Sequence, residues 1–183
     1  MPLNAYELSA GVFVRGLSNL KMQLTKAEDH AAASGGGEAA LLNAQLSAAR
    51  GVASDAQNDL HLYTLAAHVH WAAAGAKLAM GRLLGIPPVP AANDAESFAD
   101  LHRRLDATLA YLREVAPGEL EAGLDREIVI EHRRGSTRAS GGQFLLAFAI
   151  PHFLYHLTTA YGILRNQGVP MTMGDFLGNW ASS

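Results

Sequence analysis

Four stretches of this chain repeat their apolar residues at helical spacing, and each is closed by a glycine or proline signal. That punctuation restricts the fold more than any other feature. Asn4 suits a helix N-cap, and Glu7 three residues on completes a capping-box arrangement. Leu8, Val12, Leu17, Leu20 and Leu24 then recur on one face as far as AEDHAAAS. The run SGGG at residues 34–37 ends the helix, because glycine accepts the left-handed C-cap conformation. A short apolar helix, EAALLNAQL, follows, and SAARGVASDAQND reads as a loop or frayed turn. The second long helix is expected from about Leu60 to Leu84, stopped by Gly85, Pro87 and Pro88. Its AAHVHWAAAGAKLAMG segment is small enough for a neighbouring helix to come close.

PPVPAAN reads as an extended connector. Asn93 with Glu96 is expected to open a third helix running through about Val115, with Pro117-Gly118 closing it. Phe98, Leu101, Leu105, Leu109 and Leu112 form its apolar stripe, and Asp100, Arg103, Arg104 and Asp106 read as a solvated face. REIVIEHRRGSTR breaks the rhythm. Its alternating Ile128 and Ile130, followed by a glycine turn, predict a β-hairpin between about Glu127 and Arg138, with the HRR…R charges solvated at its tip. Ser140 and Gln143 form a second capping box, and a fourth helix runs to Gly168. The sum is a single domain over residues 1–183: all-α, an antiparallel four-helix bundle with a short β-hairpin between helices 3 and 4.

The fourth helix raises a membrane question, since residues 144–164 carry no formal charge over a length that spans a bilayer. Two histidines, two threonines, two tyrosines and a proline in that stretch argue instead for a buried central helix. No membrane partner is expected. The N-terminal MPLNAYELSAGVFVRGL lacks the pattern of a signal peptide, so the cytoplasm is the expected location. A net charge of −3 gives no basic footprint for nucleic acid. With no cysteine, disulfides, thiolate metal sites and a cysteine nucleophile are excluded.

Eight histidines remain as the abundant metal-type ligand. His152 and His156 stand four apart on the fourth helix, which presents two imidazoles to one ion. On the second helix, His61 and His68 are seven apart and share the core-facing stripe, whereas His70 falls with Tyr63 and Lys77 on what reads as the outer face. Three histidines with an open fourth position is a catalytic zinc pattern, and imidazole also suits nickel and iron. Pro151 would kink the helix beside His152 and free the Ala147 carbonyl. The competing reading is that each histidine is a buried polar residue, hydrogen-bonded to a tyrosine, a threonine or the backbone.

The segment PHFLYHLTTAYGILRNQGVPMTMGDFLG resembles the C-terminal signature of the domain-of-unknown-function 1993 family, and RGLSNLKMQLTKAEDHA (Arg15 to Ala31) and LLNAQL (Leu41 to Leu46) look like the same family. That family sits within the broader DinB-like group of helical bundles. The resemblance implies a metal site made of one histidine from the second helix and a His-x-x-x-His pair from the fourth. LAAHV maps the first role onto His68, and His152 and His156 take the other two, with His61 as a fourth candidate. The family's pattern keeps His156 but has asparagine at position 152 and glutamine at 68 and 70. This chain therefore resembles a variant with a complete triad, plus an apparent insertion at about residues 48–58.

Two functions compete. In the first, the resemblance implies a thiol transferase dependent on a divalent metal (zinc, nickel or iron), in which the cation deprotonates a coordinated thiol; the same ion would activate water for a hydrolase. In the second, the bundle is a non-catalytic small-molecule-binding or structural protein without metal. Either way, the alanine-rich helix and low charge point to a homodimer with an unidentified small molecule as ligand.

Overall fold

The structure, a computed structural model, describes residues 4–46, 64–87, 89–132 and 135–179. Helices α1 (Ala5–Leu8), α2 (Ala10–Ser34) and α3 (Glu38–Leu42) precede the long helices α4 (Leu65–Leu84) and α5 (Phe98–Glu114). After them come α6 (Pro117–Asp125), strands β1 (Glu127–His132) and β2 (Gly135–Ser140), and α7 (Gly141–Phe144). A π-turn over Leu145–Ala149 leads into α8 (Ile150–Asn166), and α9 (Met173–Leu177) ends the described chain. The protein is mostly helical, with one small antiparallel two-stranded sheet. No helix among the described residues is long and apolar enough to cross a membrane.

The long helices surround one core. α4 packs on α8 and α5, and α2 packs on α5 and α8. Phe13, Leu17, Leu20 and Leu24 of α2 meet the stripe Leu101, Leu105, Leu109 and Leu112 of α5, all of them buried. Phe153, Ala160, Ile163 and Leu164 face inward from α8. Leu8, expected on the inner stripe of the first helix, is exposed, and Phe13 occupies the core instead. The close approach of α2 to α8 needs Gly16, where a Cβ would stand 2.6 Å from the Phe153 ring. Phe13 and Phe153 meet edge to face at 4.9 Å across the same contact.

Several boundaries differ from the sequence reading for identifiable reasons. The first helix breaks at Ser9, whose buried hydroxyl donates back to the Ala5 carbonyl. Asn4 does cap α1, accepting from the Glu7 amide at 2.8 Å. α4 begins at Leu65 rather than Leu60, because the Thr64 hydroxyl accepts from the Ala67 amide at 3.1 Å. Residues 60–63, including His61 and Tyr63, and the insertion at 48–58 lie outside the described residues. α5 is capped by Ser97, which accepts from Asp100, and not by Asn93.

Pro117 was expected to close a helix, yet it opens α6, standing in the first turn where its missing N–H costs no bond. The hairpin therefore follows α6 and not the third long helix directly. It pairs Glu127 with Ser140 through His132 with Gly135, and Ile128 is buried beneath it. Arg138 is bound by Glu127, while the side chains of His132, Arg133 and Arg134 lie outside the described residues.

The Ser140–Gln143 capping box is present, and the helix it starts passes through the π-turn before Pro151. There the Ile150 amide bonds the Leu145 carbonyl five residues back. The extra residue in that turn shifts the register, so Pro151 falls in the first turn of α8.

Candidate functional site: three histidines at the end of an apolar pocket

α4 and α8 run antiparallel, with His68 opposite His156 and Gly75 opposite His152. The antiparallel contact brings His68, His152 and His156 together. His68 and His156 are buried, and their Nδ1 atoms lie 2.9 Å apart. His156 Nε2 lies 3.3 Å from His152 Nε2. Ring centroids are 5.1 Å apart for the first pair and 4.6 Å for the second. Tyr155 packs edge-on to both His68 and His156, and Phe148 stacks on His152 at 5.5 Å. A Cβ at position 75 would meet His152 Nδ1 at 3.2 Å, so the glycine makes room for that ring.

Burial fixes the charge of the cluster. An imidazolium in an apolar interior loses hydration that nothing replaces, which pushes the His68 pKa down to about 4. The His156 pKa falls to about 3 for the same reason, reinforced by the neighbouring His152, His68 and His70. Burial lowers the His152 pKa as well. At neutral pH all three rings are uncharged, each with one N–H and one lone pair.

The trio is arranged as a chain. His156 turns one ring nitrogen to His68 and the other to His152. Neutral tautomers satisfy both contacts, since each ring can donate to the next. Among the described residues, no three histidine, aspartate or glutamate side chains stand around one point as a metal ion requires. Imidazole is a ligand type that divalent ions take, but here the three rings are strung in a chain rather than set around one point.

His70 does not lie on the outer face. It is buried, with its Nδ1 accepting from the Arg104 guanidinium, and burial and that cation hold its pKa at about 4. Arg104 reaches on to the Ala92 carbonyl at 2.6 Å and Asp94 at 2.7 Å. Arg104 is thus a tether for the connector after α4, not part of a solvated face. Arg103 and Asp106 do stay near solvent, paired with Asp100 and Lys21.

His152, the least buried of the three rings, stands at one end of an apolar pocket of about 240 Å³ between α4 and the segment leading into α8. His152, Gly75 and Trp71 stand at that end, Leu78 and Phe148 along its length, and Arg82 with Phe144 at the other. No carboxylate lines it among the described residues. The sequence reading missed this pocket. Its signal was the spacing of Trp71, Gly75, Leu78 and Arg82 on one face of α4.

The distal part of the segment that carries the C-terminal resemblance, from Thr172 onward, lies away from the histidines. Asp175 caps α9 by accepting from the Thr172 amide at 2.8 Å, and it pairs with Lys26 at 2.6 Å. Those bonds hold its carboxyl at about 2. Asn19 and Gln23 of α2 bond the Phe176 and Asp175 carbonyls, and Phe176 packs on Tyr161. This distal part is therefore a clasp holding the C-terminal segment on α2.

The sequence as a whole places the protein. Among solved structures, the chain is similar to a DinB family member from Shewanella denitrificans, with 28% identity and a TM-score of 0.81. That match covers 97% of this chain and 94% of the other. No curated protein matches. A family model described as "Domain of unknown function (DUF1993)" matches residues 5–177. The chain therefore belongs to the DUF1993 family and has a DinB-like structure.

Proposed function

We propose that this protein, read as an antiparallel four-helix bundle of DinB type, captures one divalent metal ion with His68, His152 and His156 and presents it to the apolar pocket. The observation that carries this reading is the meeting of three neutral imidazoles from two facing helices, one of which, His152, lines that pocket. Lone pairs that need no deprotonation at neutral pH are what a metal requires of histidine. Capture requires His156 to turn until a single nitrogen faces both neighbours, in exchange for its two hydrogen bonds. His61 is a candidate fourth ligand.

A bound ion would supply Lewis acidity, lowering the pKa of a thiol or water in its open position, which suits a thiol transferase or a hydrolase. The chain's own contributions are the ligands, the apolar walls that exclude water, and Gly75, which leaves His152 free to approach. Among the described residues no carboxylate lines the pocket, so none there stands as a general base of the metalloprotease kind.

A second reading has its own support. His156 uses both nitrogens within the cluster, so the trio is satisfied without metal and the pocket would serve binding alone. Metal analysis of protein prepared without a histidine tag separates the two. The first predicts about one ion per chain after zinc, nickel or iron is offered and excess removed, and His156→Ala should abolish it while the helical signal stays intact. Equal uptake by the variant and the parent, or none by either, would favour the metal-free reading.

A further inference from the structure

Arg82 is a cation with no neutralising partner among the described residues. Among the described residues its guanidinium has neither an ion-pair partner nor a hydrogen-bond acceptor, and it rests on the Phe144 ring at 5.6 Å. It is half-buried, and burial lowers its pKa from the ordinary arginine value. The nearest acidic candidates share an open depression with it on the hairpin side: Glu127, which is engaged by Arg138, and Glu131. Neither comes within salt-bridge distance of Arg82. A half-buried cation at an apolar wall is partly desolvated, and an anion bound there would offset that loss.

Trp71, at the histidine end, adds a second unmet demand. Its Nε1–H is buried and has no acceptor among the described residues. A buried donor left unpaired destabilises the fold. Trp71 and Gly75 are one helical turn apart, and Gly75 and Arg82 are separated by seven residues, or about 10 Å along the helix. Between them the wall is Leu78, Ala79, Phe148 and Ala149. The volume of about 240 Å³ falls below the range of drug-sized pockets, roughly 300–1,000 Å³.

We propose that this pocket receives a small, elongated apolar carboxylate, with its acid group on Arg82 and its hydrocarbon body along Leu78 and Phe148 toward His152. A carboxylate matches the site because one guanidinium offers a bidentate partner for one negative charge. A phosphate dianion would want more donors than a single arginine among apolar groups provides. An acceptor near the far end of the ligand would also satisfy Trp71. The inference rests on the metal reading for what that far end meets, but the contact at Arg82 does not need the ion.

The test titrates octanoate and, separately, 1-octanol into the full chain freed of metal with a chelator, following binding by calorimetry or by protein NMR shifts. Octanoate should bind the parent protein at least tenfold more tightly than octanol. Arg82→Met, which keeps the aliphatic stem, should erase that preference while leaving octanol binding unchanged. Arg82→Lys should restore part of it, which guards against a folding defect in the methionine variant. Zinc uptake should be the same in all three proteins. Octanoate that fails to bind, or that binds Arg82→Met as well as the parent, overturns the proposal whatever the zinc result. Loss of octanoate binding in His152→Ala but not in Arg82→Met would overturn it too, by placing the acid at the wrong end. Octanoate binding with the predicted Arg82 dependence but no zinc uptake would support this proposal and defeat the metal reading alone.

Discussion

At His68, His70 and His156 the solvent has been removed from groups that ionise near neutrality in water, and their pKa values fall to about 4, 4 and 3. The unfolded chain takes up protons below about pH 6.5, while the folded chain refuses them until near pH 4. Stability of the metal-free protein is therefore full above about pH 6.5 and declines as pH falls toward 4. The three groups act in the same direction, each contributing stability at neutral pH that is lost in acid. Urea unfolding in chelator should show a clearly lower midpoint at pH 5 than at pH 7.5; equal midpoints would show that the rings are not buried neutral. Gly75 offers a second check at this scale. A methyl group there would meet His152 Nδ1 at 3.2 Å, so Gly75→Ala should weaken zinc binding by ~10-fold with the fold retained. Unchanged affinity in a zinc titration would mean His152 is not held where this glycine admits it.

The helices were legible where the local code was complete, as in the Ser140–Gln143 box, the glycine stop after Ser34 and the α5 leucine stripe. Elsewhere the same residue type carries opposite meanings, and only tertiary context decides. Pro117 begins a helix because Leu120 and Gly123 have α4 to pack against. Pro151 is accommodated by a π-turn, which a period of 3.6 residues does not anticipate. His70 looked exterior on a helical wheel because Arg104, its buried partner, is 34 residues away. The His152–His156 spacing and the LAAHV resemblance did indicate which rings meet. They did not reveal that His156 would spend both nitrogens on its neighbours. The C-terminal clasp predicts its own weak point: Asp175→Ala removes the α9 cap and the Lys26 pair and should cost about 1 kcal/mol. Thermal unfolding should drop by roughly 2–4 °C, with faster proteolysis after Gly168. A variant as stable and as resistant as the parent would show that the clasp holds nothing.

Among the described residues the core accounts for most apolar side chains, but several large ones stay exposed on one segment. Leu146, Phe148, Leu154 and Tyr155 are exposed along the π-turn and α8, between 42% and 63% accessible. A homodimer formed through this face would cover them. Light scattering should give about twice the 19.4 kDa chain mass, and Leu154→Glu should return it to the single-chain value. A parent protein that is monomeric at micromolar concentration would contradict this. The account as a whole depends on what the histidine cluster holds, and anomalous diffraction at the zinc edge, from crystals of tag-free protein grown with zinc, reads that directly. It predicts one strong peak, with a single nitrogen of each of His68, His152 and His156 at ~2.0–2.1 Å. No peak at the cluster, with His156 still bonded to both neighbours, would contradict it.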